Sequence, residues 1–358
     1  MTGIVRIGLL GAGLIGKEHA NYCMSAEGVE LTAIADPSPA GQEVARELDV
    51  PHFVSYIDLM DEAPVDAVIV ALPNIMHADA AVAALERGLT PLVEKPIADS
   101  LEAAERIIAA SDKHNVPVLV GHQRRYAPDI VAAKRFIEDG GLGHVVSVGL
   151  LSTWRKDEKY FDVTWRSRKG GGPVLINLIH DLDVIRYLAG DIDSVMALGS
   201  SKVRGFPVPD TAGAVLEFAS GAIGTAMATD AAASPWCWDL TSGYGAYFPS
   251  PPPGDVYFIS GTEASIALPS LTVYRHRGAN NWKSPFETSV LKRTETNPYV
   301  AQLEHLAAVT RRQAEPLISA RDAFNTLAVA MAIDESMASR KYLQVPQLHD
   351  KGEYTDDC

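Results

Sequence analysis

The chain has 358 residues, 47% of them apolar and 21% charged, with a formal net charge of −14. That length suits two domains, and the acidic balance argues against a nucleic-acid or anionic-membrane partner, since both need clustered Lys and Arg. Cys23, Cys237 and Cys358 show neither metal-ligand spacing nor a disulfide framework, so no metal is expected and a reduced, cytoplasmic setting fits. No apolar run approaches the roughly 20 residues needed to cross a bilayer. The early apolar run is broken by glycines and reads as a strand and turn rather than a secretory signal.

Val5 to Leu10 reads as a buried strand. It runs into Gly11-Ala12-Gly13-Leu14-Ile15-Gly16 and a helical stretch from Lys17 to Ser25. This is the dinucleotide fingerprint in its required strand–turn–helix setting. Gly11 makes the tight turn, Gly13 admits a pyrophosphate to the backbone, and Gly16 lets helix and strand pack. The helix N-terminus, with Leu14 and Ile15 in it, offers free N–H groups to the phosphates. A second strand, Leu31 to Ala35, ends at Asp36, twenty positions after Gly16, where a ribose-binding acid belongs. A carboxylate there accepts from the 2′-hydroxyl of NAD and repels the 2′-phosphate of NADP. NAD is therefore the expected cofactor. The alternative role for Asp36 is a cap on the helix Pro39 to Leu48, for which Ser38 is better placed.

More strand–helix units follow. Asp66 to Ala71 is a strand, apolar after its first residue, ended by Leu72-Pro73-Asn74. A helix from His77 to Arg87 leads to Gly88. His77 suits either a cap or a cofactor contact. Pro91-Leu92-Val93 is a short apolar strand that ends at Glu94-Lys95-Pro96. In a doubly wound sheet, ligands bind beyond the carboxyl ends of the strands, so Lys95 points its amine toward the ligand crevice from a turn stiffened by Pro96. A helix from Ser100 to His114 and a strand from Val116 to Gly121 complete a parallel α/β pattern.

These residues resemble one family. Gly11 to Gly16, Asp36, Pro73-Asn74-Ile75-Met76-His77 and Glu94-Lys95-Pro96 are similar to motifs of the glucose–fructose oxidoreductase / inositol dehydrogenase / MocA family. Gly170-Gly171-Gly172 and His180-Asp181-Leu182-Asp183 continue the likeness, to about residue 340. The resemblance implies an N-terminal Rossmann domain and a second α/β domain on a large, mostly antiparallel sheet. It implies NAD(P)-dependent oxidation or reduction of sugars, polyols and related cyclic alcohols. It also implies homodimers or homotetramers assembled through the open sheet faces. On this basis residues 1–121 form the cofactor domain, 122–345 the substrate and oligomerisation domain, and 346–358 a polar tail. The implied site residues are Pro73, Asn74, His77, Glu94 and Lys95 around the cofactor.

In the second half, Gly121 to Tyr126 again follows a strand end. Its Arg124 and Tyr126 suit a substrate with several hydroxyls or, equally, an interdomain contact. A helix from Ala127 to Glu138 and a strand from Val145 to Thr153 precede a polar, aromatic stretch, Trp154 to Lys169. Its Trp154 and Trp165 suit either sugar stacking or anchorage to a core. Gly170 to Pro173 opens a helix on which Asn177, His180 and Asp183 recur at threes. His180 reads as a substrate ligand and Asp183 as structural. Strands then follow at Val195 to Gly199, Ala212 to Phe218, Ala222 to Ala228, Val256 to Ser260 and Ser265 to Leu268. One long connection, Ala231 to Gly254, carries Trp236, Trp238 and further aromatics and suits a lid over the site or a reach to a neighbouring subunit, with Trp236 and Trp238 expected to contribute to substrate binding. Helices from Pro298 to Arg312 and Ala320 to Arg340 close the fold.

The reading is an NAD-dependent dehydrogenase of a sugar, polyol or cyclic diol. Lys95 is the acid–base group, and His180 binds or relays through the same hydroxyl. Many relatives carry an aspartate four residues before the histidine; here that position is Ile176. Asn177 lies three before His180, about 100° away around a regular helix. Asparagine donates and accepts hydrogen bonds but is no base at neutral pH. Either Asn177 takes over the hydroxyl contact, or the site is no longer a dehydrogenase. The retained Lys95, Asp36 and glycines favour the first. The rivals are an NAD-assisted glycosidase, which returns its hydride, and a cofactor-sensing regulator, against which Lys95 and His180 argue.

Overall fold

The computed structural model describes residues 3–244 and 254–348. The Tyr247, Phe248 and proline-rich part of the long connection, and the tail from His349, lie outside the described residues. The chain divides into two compact units, one built from residues 1–126 and 296–327, the other from 127–295 and 328–347.

The first unit runs β1 (Val5–Leu10), α1 (Leu14–Cys23), β2 (Val29–Ala35), α2 (Pro39–Glu47), β3 (His52–Phe53), α3 (Tyr56–Glu62), β4 (Ala67–Val70), α4 (His77–Glu86), β5 (Thr90–Val93), α5 (Leu101–His114) and β6 (Leu119–Val120). Its sheet is parallel in the order β3-β2-β1-β4-β5-β6. This is the doubly wound dinucleotide order, with the reversal between β1 and β4. Strands β4 and β5 are buried along their whole length, as helices on both faces require. Ser38 and Ser100 cap α2 and α5 by accepting from Gly41 N–H and Ala103 N–H. Helix α1 starts three residues earlier than expected, so Leu14, Ile15 and Gly16 form its first turn.

The second unit opens with α6 (Pro128–Glu138), β7 (Val145–Thr153), α7 (Ile179–Ala189), β8 (Ile192–Ser200), β9 (Thr211–Phe218), β10 (Ile223–Thr229) and α8 (Trp238–Thr241). Strands β11 (Tyr257–Gly261), β12 (Ser265–Leu268), β13 (Thr272–His276) and β14 (Phe286–Val290) follow. Helices α9 (Pro298–Thr310) and α10 (Ala320–Ser339) and strand β15 (Leu343–Gln344) end the described chain. The nine-stranded sheet has the order β14-β13-β12-β11-β7-β10-β9-β8-β15. Every pairing is antiparallel except β7 with β10. Strands β9 and β10 alternate buried and open residues, the signature of a sheet covered on one face. Cross-strand pairing sets Met196, Val215, Thr225, Gly149 and Phe258 in one row over five strands. Met196, Val215 and Phe258 are exposed.

Helix α9 packs on the first unit: Leu303, Leu306 and Ala307 belong to one apolar cluster with Val5, Ile7, Leu31 and Ile69 of the Rossmann sheet. An amphipathic helix does not encode which sheet it covers. One expectation needs correction. Trp238 is not a surface loop aromatic. It is buried and stacks on Tyr257 with centroids 5.2 Å apart, as part of a core. The strand expected from Val116 contracts to two residues, and β14 and β15 were not anticipated.

Candidate active site

Strand register groups the candidate residues of the first unit. Leu10 pairs with Ala35 and Val70, Val70 with Val93, and Val93 with Val120. Asp36, Gly11, Ala71, Glu94 and Gly121 are therefore the first residues past five neighbouring strand ends. They make one continuous edge at the carboxyl side of the sheet, where a doubly wound fold binds its ligand.

The glycines on this edge have distinct physical reasons. Gly11 has φ +93°, and a Cβ there would meet the Ala71 carbonyl oxygen at 2.6 Å. A Cβ on Gly16 would meet the Gly11 carbonyl oxygen at 2.1 Å, so helix and turn could not close. Gly13 needs neither excuse. Its φ is −66° and its ψ −163°, and a Cβ would find no atom within 4 Å. The clearance at Gly13, beside the uncapped start of α1, leaves room of the kind a pyrophosphate needs. Leu14 is exposed there, while Ile15 packs toward the apolar cluster, so Ile15 contributes main chain to this turn.

Asp36 is held in advance of any ligand. One oxygen accepts from Ala12 N–H at 2.7 Å. The other accepts from Ser38 N–H at 2.8 Å and the Ser38 hydroxyl at 2.6 Å. Burial works to raise its pKa, but the Ser38 hydroxyl and the N–H groups of Ala12 and Ser38 prevail and hold it below the usual value. A carboxylate has about four acceptor positions, so these three bonds leave capacity for a ribose hydroxyl. Gly41 makes this placement possible: a Cβ there would lie 2.3 Å from the Asp36 Cβ.

Pro73 and Asn74 form the turn after β4, with Met76 N–H donating to the Pro73 carbonyl at 2.8 Å. His77 is fully buried, its ring nitrogens 2.9 Å from the Pro96 carbonyl and 2.8 Å from that of Leu72. Burial lowers its pKa despite those two carbonyls. The ring thus ties the end of β4 to the turn beyond Lys95; both nitrogens face main chain.

At Glu94-Lys95-Pro96 the glutamate is buried and the lysine half-buried. The Lys95–Pro96 peptide is cis. His19 of α1, unnoticed in the sequence, donates through Nε2 to Glu94 Oε1 at 2.6 Å, and Lys95 N–H donates to Glu94 Oε2 at 3.1 Å. Burial pushes the Glu94 pKa up. The His19 bond and the neighbouring Lys95 outweigh it, so the net shift is downward. The only signal for His19 was a polar residue on the buried side of α1, beside Ala20 and Cys23. Beyond β6, the Tyr126 hydroxyl bonds His305 Nδ1 at 2.7 Å and Arg125 pairs with Asp322 at 2.5 Å. Arg124 is buried. Tyr126 therefore ties this turn to the returning helix α9, a role that sequence spacing could not reveal.

The second unit gathers another group. Asn177 lies in a π-helical turn, Val174–Leu178, that leads directly into α7 and His180. Such turns are wider than an α-helix and collect at functional sites. The 100° offset reckoned for a regular helix does not apply here. His180 is buried. Asn177 Oδ1 accepts from Lys156 Nζ at 2.6 Å. Lys156 was unremarked in the sequence beyond its place in the polar stretch. Trp154 is buried with the Lys156 ammonium 5.4 Å from its ring centre, whereas Trp165 and Trp236 stand exposed. Asp183 is buried in α7, and Asp181 accepts from the Tyr257 hydroxyl.

The two units match, in order, the two domains of one family. Residues 5–122 match its "Oxidoreductase family, NAD-binding Rossmann fold" and residues 134–345 its "C-terminal alpha/beta domain". The chain belongs to the glucose–fructose oxidoreductase / inositol dehydrogenase / MocA family. It is an oxidoreductase with an NAD-binding Rossmann domain. The scyllo-inositol 2-dehydrogenase (NAD(+)) of Bacillus subtilis is 28% identical over 358 residues, covering 95% of this chain and 96% of that one. An uncharacterized oxidoreductase of Streptococcus pneumoniae is 30% identical over 202 residues, a span of just 54% of its own length. In fold, the chain is similar to the WlbA dehydrogenase of Bordetella pertussis, solved with NADH and UDP-GlcNAcA. The TM-score is 0.78 and the identity 24%, over 96% of this chain and 99% of that one.

Proposed function

We propose that the protein transfers a hydride between NAD and a secondary alcohol of a sugar, polyol or related cyclic diol. The observation that carries this is the continuous edge Asp36–Gly11–Ala71–Glu94–Gly121, which sets the Asp36 carboxylate, the glycine turn and the Glu94-Lys95 pair beyond adjacent strand ends. The B. subtilis inositol dehydrogenase, similar along its whole length, supports the substrate class. NAD when bound supplies the hydride acceptor. The protein's own work is proton transfer and orientation. Lys95 takes the hydroxyl proton in oxidation and returns it in reduction, its main chain held by Glu94. His180 hydrogen-bonds the same hydroxyl, and Asn177 contacts a neighbouring oxygen. Trp154, with Arg124 behind the β6 turn, shapes the surroundings; Trp165 and Trp236, both exposed, contribute apolar surface to the sugar ring.

The test is a carbohydrate and polyol panel read as net NADH. Turnover of cyclic alcohols by the wild type, lost in Lys95→Ala, is the expected result. Hydride return without net NADH on free sugars would refute the reading. We also propose that the open row Met196–Val215–Phe258 packs against a second copy. Val215→Lys should then halve the mass seen by light scattering, and an unchanged mass would remove that face from the assembly.

A further inference from the structure

We propose that His19 and Glu94 are positioning residues for Lys95: the histidine fixes a buried carboxylate against the lysine's main chain, and that carboxylate governs when the lysine can accept the hydroxyl proton. This rests on the reading of Lys95 as the acid–base group and names what regulates it. His19 lies on α1 and Glu94 just past β5, and both are buried. His19 Nε2 is 2.6 Å from Glu94 Oε1, and Lys95 N–H donates to Oε2 at 3.1 Å. Each carboxylate oxygen thus receives a donor. A protonated carboxyl would turn its own O–H toward one of those donors, so the arrangement selects the charged form. His19 Nδ1 is buried and has no hydrogen-bond partner among the described residues. No acceptor there draws the ring proton away from Nε2, where Glu94 needs it.

Neighbouring elements close around the pair. A Cβ on Gly121, beyond β6, would lie 2.9 Å from Glu94 Oε1 and 3.1 Å from Glu94 Cα, so that wall admits no side chain. Tyr299 of α9 meets the His19 ring edge-on at 6.1 Å and stacks on Tyr22 at 4.9 Å. The charged groups that act on Glu94 are His19 and Lys95; His77 of α4 feels Glu94 too, together with Asp99. His77 has both ring nitrogens on main-chain carbonyls, and burial lowers its pKa, so it brings no cation. The attraction between Glu94 and Lys95 is reciprocal. It helps to hold the Glu94 pKa down, and it favours the lysine's ammonium in return. Lys95 therefore gives up its proton at a higher pH than it would beside an uncharged group. Its main chain is fixed on both sides, by Glu94 before it and by His77 on the Pro96 carbonyl after it.

The test is the pH profile of NADH formation on inositols and hexoses, beside a readout that needs no turnover. That second readout is competitive acetylation of the Lys95 amine with acetic anhydride across pH, followed by peptide mass spectrometry of the full chain. Glu94→Gln keeps the shape and removes the charge, so both profiles should move to lower pH by about one unit or more, the scale of one close charge. His19→Leu leaves the carboxylate short of a donor and readier to take up a proton, so it should move them the same way. His19→Gln, which still donates, should return them toward the wild type. Combining His19→Leu with Glu94→Gln should move them no further than Glu94→Gln alone. A lower kcat with both profiles in place would make the pair mere scaffold and overturn the proposal, leaving the dehydrogenase reading intact. A shifted acetylation profile in a protein that oxidises no alcohol would keep the pair's hold on Lys95 and sink the dehydrogenase reading. If His19→Leu does not fold, the Glu94→Gln profiles decide.

Discussion

The candidate residues of the two units are held in different ways. At the edge of the parallel sheet they are held by backbone: close approaches at Gly11 and Gly16, clearance at Gly13, and one carboxylate bound by N–H groups. In the second unit they are held by side chains distant in sequence, with Lys156 set against Asn177 and its main chain pinned by Arg204 and Asp230. Two carboxylates show the same contrast. Glu94, buried, has His19 and the Lys95 N–H, and its pKa goes down; partial burial pushes that of Asp334, in α10, up to about 7. A backbone-built site depends on residues that cannot be substituted sterically. An arrangement held by side chains depends on partners that can be exchanged.

The largest expected effect tests that division of labour. Lys95→Ala should retain NAD binding and lose roughly 10²–10⁴ in kcat, the scale of a positioned acid–base group. Asn177→Ala should instead raise KM, by about 1–3 kcal/mol of lost binding. Equal losses in kcat from both variants would abolish the distinction between a chemical residue and a recognition residue.

The glycines offer a sharper test within one turn. Gly16→Ala places a Cβ 2.1 Å from the Gly11 carbonyl and should lower the melting temperature, at about 1–3 kcal/mol for an overpacked contact. Gly13→Ala meets no protein atom and should melt like the wild type while binding NAD about tenfold more weakly. If Gly13→Ala destabilises the apo protein and leaves NAD affinity alone, the clearance has been misread.

Cofactor choice comes next. The wild type should use NAD far better than NADP, and Asp36→Ala should narrow the gap by about tenfold, one charged contact's worth. Comparable kcat/KM for both cofactors before mutation would show that Asp36 only organises the turn through Ala12 and Ser38.

The smallest effect concerns Asp334. A carboxyl whose folded pKa is raised binds its proton more tightly folded than unfolded, so stability falls as pH rises from about 4 to about 7 and then levels. Asp334→Asn should therefore melt higher than the wild type at pH 8, by a few degrees, and converge with it near pH 4. A constant offset across that range would mean that packing, not charge, sets the difference. Glu94 runs the other way, stabilising above its unfolded value and failing as pH falls through its lowered one.

By itself the sequence determined the parallel α/β order of the first 120 residues, the glycine turn after β1, the acidic residue at the end of β2 and the strand end carrying Lys95. Those features are local: alternating strand and helix periods, glycines at fixed offsets, and polar residues where a strand stops. It also marked Asn177 and His180, through their spacing on one helix. Only the tertiary structure decided that α9 covers the Rossmann sheet, because an apolar helix face does not name its partner. The same holds for His19 meeting Glu94 across 75 positions and Tyr126 meeting His305 across 179. The π turn, too, reset the geometry around Asn177 that regular helical spacing had assigned. Long-range pairing of polar groups leaves no period in a sequence, since each side chain there is chosen for a neighbour that the fold, and not the chain order, brings to it.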